Sequence, residues 1–170
     1  MKGKAKRLAH GFTLLEILVA LIIVSIGLLG LAGMQAVAIN NTNTARLRGI
    51  AAIDAASLAA AMHANPAYWR NVSGTVTQST VPSAGNCGSG TCTASQIAGY
   101  DVGQWQSALT ANQIALPSAS GTFSCSSSAN APPVCSITVS WQEKMMAGNL
   151  SGTTASSAYT TASYQMVVQP

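Results

Sequence analysis

An uncharged run of 23 residues, from Ile17 to Ile39, constrains this chain more than any other stretch. As a helix rising 1.5 Å per residue it spans about 35 Å, enough to cross a hydrocarbon core of ~30 Å. Lys2, Lys4, Lys6 and Arg7 stand just before it, and basic residues flanking a span are retained on the cytoplasmic side. The expected topology is a cytoplasmic N-terminus, one crossing and an exported remainder.

The formal charge of +4 is a property of those first residues. Beyond residue 11 the bases are Arg46, Arg48, Arg70 and Lys144, and the acids are Glu16, Asp54, Asp101 and Glu143, which balance. Such a body offers no phosphate-binding patch, so no direct nucleic-acid contact is expected. Only 7% of residues are charged, and hydroxyls and amides take over the solubilising role. Aromatic and β-branched residues persist to the end of the sequence, which argues against disorder. A chain of 170 residues holds one compact domain plus an appended element.

Three readings of the N-terminus compete. An ordinary secretory signal cut after Ala36-Val37-Ala38 conflicts with the length of the apolar run, and with Glu16 in its leading edge. A plain signal anchor leaves Glu16 unexplained, since a carboxylate costs ~2.5–3.5 kcal/mol near a bilayer centre and less toward the interface. The third is a short basic leader ending in glycine, followed by an apolar residue and a glutamate four positions on. Gly11-Phe12-Thr13-Leu14-Leu15-Glu16 has that form.

This hexapeptide resembles the class III signal peptide of type IV prepilins. The resemblance implies that residues 1–11 are a leader, removed by a membrane prepilin peptidase that cuts between Gly11 and Phe12. It also implies methylation of the new Phe12 amine, with the apolar run kept in the mature protein. Glycine suits the cleavage position because the absence of a Cβ lets a protease approach the backbone closely. Glu16 then serves assembly. Its carboxylate meets the cationic amine of a neighbouring subunit, and the pairing offsets the burial of both charges. A slipped subunit would leave one charge buried alone, so the pair also sets axial register.

Phe12–Gln35 further resembles the N-terminus of the type IV pilus modification protein PilV family of minor pilins. Leu14-Leu15-Glu16 and the run from Ser25 to Gly33 carry that likeness. Gly33 stands where major pilins commonly have a helix-kinking proline. Gly27, Gly30 and Gly33 permit close helix packing and weaken the helix locally, although glycine is also simply frequent in membrane helices.

Helical periodicity continues beyond the span. Leu47, Ile50, Ala51, Leu58, Ala61 and Met62 form one apolar stripe, and Asn65-Pro66 is the expected stop. Asp54 falls within the stripe, read either as a partly exposed side chain or ion pair with Arg46 or Arg48, or as a contact between pilins. His63 is the sole histidine past residue 11, and suits the C-terminal end of a helix. With no second histidine, no nucleophile elbow and no phosphate-cradling loop, an enzyme lacks its parts. No catalytic residue and no cofactor is expected.

Four cysteines form two close pairs, Cys87 with Cys92 and Cys125 with Cys135. In an exported segment these read as disulfides. Of three possible connectivities the two local pairings are expected, each stabilising by roughly 2–3 kcal/mol through loop entropy. A zinc site lacks C-x-x-C spacing and a nearby histidine, so no metal is expected. Residues 71–99 read as a polar loop stapled by the first pair. Asp101–Leu109 reads as a short helix with Asp101 as N-cap and Val102, Trp105 and Leu109 on one face. Tyr100-Asp101 with Gln104-Trp105 again resembles the PilV family. Expected strands are Gly121–Ser124, Val134–Gln142 and Tyr159–Gln169, the second disulfide clipping the first two across a loop holding Pro132-Pro133.

The sequence therefore predicts an α+β, type IV pilin-like fold: a long N-terminal helix, partly transmembrane, packed on a small antiparallel sheet with disulfides. Its expected parts are a leader over 1–11, a membrane or filament-core half-helix over 12–39, a second half-helix over 40–64 and a periplasmic α+β domain over 65–170. The resemblance implies a minor pilin, first single-pass in the inner membrane and then part of an extracellular pilus. Its implied partners are other minor and major pilins, prepilin peptidase and a tip adhesin. Two alternatives stay open: a minor pseudopilin of type II secretion, and a signal-anchored periplasmic binding module.

Overall fold

The computed structural model describes residues 12–85, 87–111, 115–128, 131–144 and 159–170. Residues 1–11, the expected leader ending in Gly11, lie outside them. In chain order the elements are α1 (Leu14–Ala64), α2 (Pro66–Trp69), β1 (Thr75–Thr77), α3 (Ala94–Ala111), β2 (Ser120–Ser128), β3 (Ala131–Lys144) and β4 (Tyr159–Val168). Two compact units result, Met1–Asn43 and Thr44–Pro170. The architecture is the α+β arrangement expected from the sequence.

Within the second unit Leu47, Ala51, Leu58 and Met62 of the predicted stripe on α1 enter the core together with Ala55 and Ala59, while Ile50 and Ala61 are half-buried. Each fully buried leucine or methionine contributes about 1.5–3 kcal/mol of transfer free energy. The helix stops at Ala64 because Pro66 disfavours helical backbone at the residue before it, and Asn65 accordingly sits at φ −122° and ψ 60°. Asn65 is buried, and its side-chain amide donates to the Ala94 carbonyl at 2.7 Å. Pro66 then opens the four-residue α2 at its N-terminus, where a missing N–H costs nothing. This turn drives Trp69 into the core, its ring edge-on to Phe123 at 5.7 Å.

The sheet is antiparallel with order β1-β2-β3-β4. Phe123 and Cys125 on β2 face the core, as do Cys135, Ile137, Val139 and Trp141 on β3, following the two-residue alternation of strands. Cys125 pairs directly with Cys135, and Phe123 with Ile137. On β4 the half-buried side is Ala162, Tyr164 and Met166, as the alternation predicted. α3 lays Val102, Trp105 and Leu109 into the same core. Two glycines permit its close packing. A Cβ on Gly99 would run into the Pro82 carbonyl, and one on Gly121 would strike the Trp105 ring.

Three expectations are corrected. The helix expected to begin at Asp101 begins at Ala94, placing Asp101 inside it. Its true start is a capping box, in which the Thr93 N–H donates to Gln96 Oε1 at 3.0 Å and the Gln96 N–H donates to Thr93 Oγ1 at 3.3 Å. The stretch 71–99 is not all loop, for Thr75–Thr77 pairs with Ser124–Ser126. Pro132 and Pro133 lie within β3 rather than in the connection before it. Proline is tolerated near a strand's first residues and beside irregularities, and the β2–β3 register does shift between Ser126 and Ser128.

Candidate functional site

The candidate site is the beginning of α1 and the apolar surface that follows it. Thr13 acts as the helix N-cap. Its carbonyl accepts the Ile17 N–H at 3.2 Å, and its Oγ1 accepts the Glu16 N–H, also at 3.2 Å. A threonine hydroxyl placed this way satisfies one of the four donors a helix start leaves unpaired. Glu16 thus occupies the first turn, where the positive end of the helix dipole favours a carboxylate. Among the described residues no group hydrogen-bonds or ion-pairs with that carboxylate.

Around Glu16 the surface is almost wholly apolar. Phe12 is 78% exposed and Leu14 is 88% exposed, and every large apolar side chain from Leu15 to Ile39 is also exposed. The most apolar 18-residue window of α1 has a mean hydropathy of 2.8, and none of it is buried within this chain. In water such a surface is prohibitive, whereas in lipid or against other helices it is matched. The few polar groups are neutralised locally. Ser25 Oγ donates to the Ile22 carbonyl at 2.8 Å, and Thr42 Oγ1 donates to the Ala38 carbonyl at 2.9 Å, which hides each hydroxyl against the helix. Among the described residues nothing approaches the Cβ positions of Gly27, Gly30 or Gly33.

The remaining sequence candidates lie in the second unit. Cys87 is bridged to Cys92, with a Cα–Cα distance of 5.6 Å. Cys125 is bridged to Cys135, with a Cα–Cα distance of 3.9 Å. The first bridge lies in a half-exposed loop, and the second is fully buried. Asp54 is half-buried, with Oδ2 sealed from solvent and lacking a partner. Burial raises its carboxyl above the ordinary aspartate value. Among the described residues no ion pair joins it to Arg46 or Arg48, both of which are exposed, so of the expected alternatives it is the partly exposed side chain that is found and the ion pair that is not. Asp101 is raised by burial in the same way. Among the described residues no cluster of three or more histidine, cysteine or acidic side chains could hold a metal.

Sequence reading overlooked the role of Thr13, although its signal was in plain view. Thr13-Leu14-Leu15-Glu16 has the T-x-x-E spacing of a helix start.

The family described as the prokaryotic N-terminal methylation motif matches residues 6–32. No curated protein and no solved structure matches the chain. The matched stretch contains Gly11, Phe12 and Glu16 and much of the exposed apolar surface. The chain therefore carries the prepilin-type N-terminal methylation signal of type IV pilin-like proteins, which points to a membrane-anchored structural protein.

Proposed function

We propose that this chain is a minor pilin of a type IV pilus, similar to the PilV family, that promotes pilus assembly and, through the filament, adhesion or motility. Prepilin peptidase cuts between Gly11 and Phe12, and Phe12 becomes the methylated N-terminus. Residues 12–39 hold the protein in the inner membrane and later pack in the filament core. Residues 40–64 continue the helix, and 65–170 form the exported domain. Other minor and major pilins, and a tip adhesin, are its partners.

The observation that supports this most is the methylation-motif match over residues 6–32, which sets Glu16 four residues beyond Phe12 on a lipid-compatible helix. A carboxylate with no partner among the described residues is costly in an apolar setting. A neighbouring subunit's N-terminal amine offsets that cost and fixes where the subunit sits.

Mass spectrometry of the mature protein tests the processing step. A methylated Phe12 terminus is expected, and a mature start at Ile39 overturns the reading. Glu16→Ala tests the assembly step, since surface piliation should fall while membrane insertion persists. Unchanged piliation together with intact secretion would remove the pilus role, whereas lost type II secretion would reassign the chain to a pseudopilus.

A further inference from the structure

The solvent side of the sheet carries a registered array of hydroxyl and amide side chains. Strand pairing aligns Thr77, Ser124 and Ser136 in one row across β1, β2 and β3. It aligns Thr122, Thr138 and Gln165 in the next row, across β2, β3 and β4. Neighbours within a row stand about 4.8 Å apart, and the two rows are about 7 Å apart along the strands. All six side chains are exposed or half-buried, and all six line one groove of about 860 Å³. That volume is within the range of small-molecule sites.

Part of this surface is already held in place. Gln165 Nε2 donates to Ser136 Oγ at 2.6 Å, bridging the two rows. Its amide oxygen has no partner among the described residues. At the end of β1, Thr77 Oγ1 lies 3.1 Å from Ser79 Oγ, and the Thr77 N–H donates to Thr80 Oγ1 at 2.8 Å. Hydroxyls linked in this way polarise one another, which strengthens each as a donor or acceptor. Gln78 stands on the same rim, and its Oε1 is sealed from solvent without a hydrogen-bond partner. Such an acceptor is uncommon in a folded chain and is compensated when a donor reaches it.

The chemistry of the lining selects among ligands. No charged side chain lines the groove, so an ionic ligand finds no counter-charge there. Its one aromatic residue, Phe123, is 4% exposed and turned to the core. A protein partner is therefore offered none of the exposed aromatic, methionine or arginine anchors that carry such contacts. What the groove does offer is neutral. Each serine or threonine hydroxyl brings one donor and two acceptor lone pairs, and each glutamine amide brings both functions. Short hydroxyl side chains have few rotamers to lose on binding. The matching ligand is uncharged and carries donors and acceptors on closely spaced atoms, with C–H surface for the threonine methyls. We infer that this groove binds a neutral oligosaccharide. The site lies wholly in the second unit and is independent of the role of the N-terminal segment.

The test places the full chain, fluorescently labelled and held in lipid nanodiscs, on an array of neutral, sialylated and sulfated oligosaccharides. Retention on neutral glycans is expected. Thr122→Val with Thr138→Val removes two hydroxyls and keeps branched side chains suited to strands. This double variant should lose retention at least about fivefold, and Gln165→Leu should act in the same direction. Thr161→Val, on the same side of β4 but outside the groove, should leave retention unchanged. Non-reducing mass spectrometry should find both disulfides formed in every variant. No retention on any neutral glycan, retention on acidic glycans alone, or retention indifferent to the groove substitutions would each overturn the assignment. Surface piliation, the readout for the pilin reading, is untouched by any of these outcomes.

Discussion

The indole N–H of Trp105 donates to the main-chain carbonyl of Asp54 at 2.8 Å, tying α3 to α1 across 51 positions of sequence. The same carbonyl accepts the Ser57 hydroxyl at 2.7 Å, so losing the indole does not leave it without a partner.

That redundancy sets the size of a mutational effect. Trp105→Phe should cost about 1 kcal/mol for the lost hydrogen bond, plus a smaller packing loss. Trp105→Ala should cost about 3–5 kcal/mol, because it empties a site in the core. Denaturant unfolding of the detergent-solubilised chain, followed by circular dichroism, separates the two. Equal losses would mean that the N–H, and not the packing of the ring, does the joining.

Asp54 gives a pH signature. Burial raises its carboxyl above 3.8 in the folded chain, so the folded state holds a proton that the unfolded state has released. Stability therefore falls as pH rises from the ordinary aspartate value through the raised one, and the penalty is complete above it. Asp101 acts in the same direction. Asp54→Asn should raise the melting temperature at pH 7. The gain should vanish below about pH 3, where the parent carboxyl is itself neutral. Melting curves at the two pH values check this.

The two disulfides should differ in worth. Loop entropy assigns roughly 2 kcal/mol to the Cys87–Cys92 bridge and about 3 kcal/mol to Cys125–Cys135. The latter is fully buried, so replacing both its cysteines with alanine also opens space in the core. Urea midpoints of the two double variants should rank accordingly, with the Cys125/Cys135 variant the weaker.

Relocating the start of α3 reverses a simple expectation. Thr93→Ala should cost about 1 kcal/mol by removing the cap. Asp101→Ala should be neutral or slightly stabilising, since aspartate inside a helix is less favourable than alanine. Thermal unfolding of the two variants distinguishes an N-cap at Thr93 from one at Asp101.

Strong periodic signals were the legible part of this fold. The apolar stripe of α1, its stop at Asn65-Pro66 and the alternation in β3 and β4 all follow from side-chain spacing that local physics enforces. β1 was illegible because Thr75-Val76-Thr77 has a single apolar residue and owes its strand character to pairing with β2. The first two turns of α3 were missed because Ala94–Tyr100 offers little hydrophobic pattern and its cap went unrecognised. Trp69 was equally hidden, as its place beside Phe123 is decided by tertiary packing. At the candidate site, Phe12 and Glu16 were readable from spacing, while the threonine that starts the helix between them emerged from geometry.

The buried bridge between β2 and β3 also resolves an ambiguity of alignment. Thr122, Ser124 and Ser126 on β2 and Ser136, Thr138 and Ser140 on β3 give the solvent side of this strand pair near-identical side chains at every second position. A slip by one residue would turn the core outward and is strongly opposed. A slip by two keeps the faces intact, and so repetitive a surface scarcely distinguishes it from the native alignment. Joining Cys125 to Cys135 at directly opposed positions removes that degeneracy, acting as a covalent origin from which the pairing of both strands is counted.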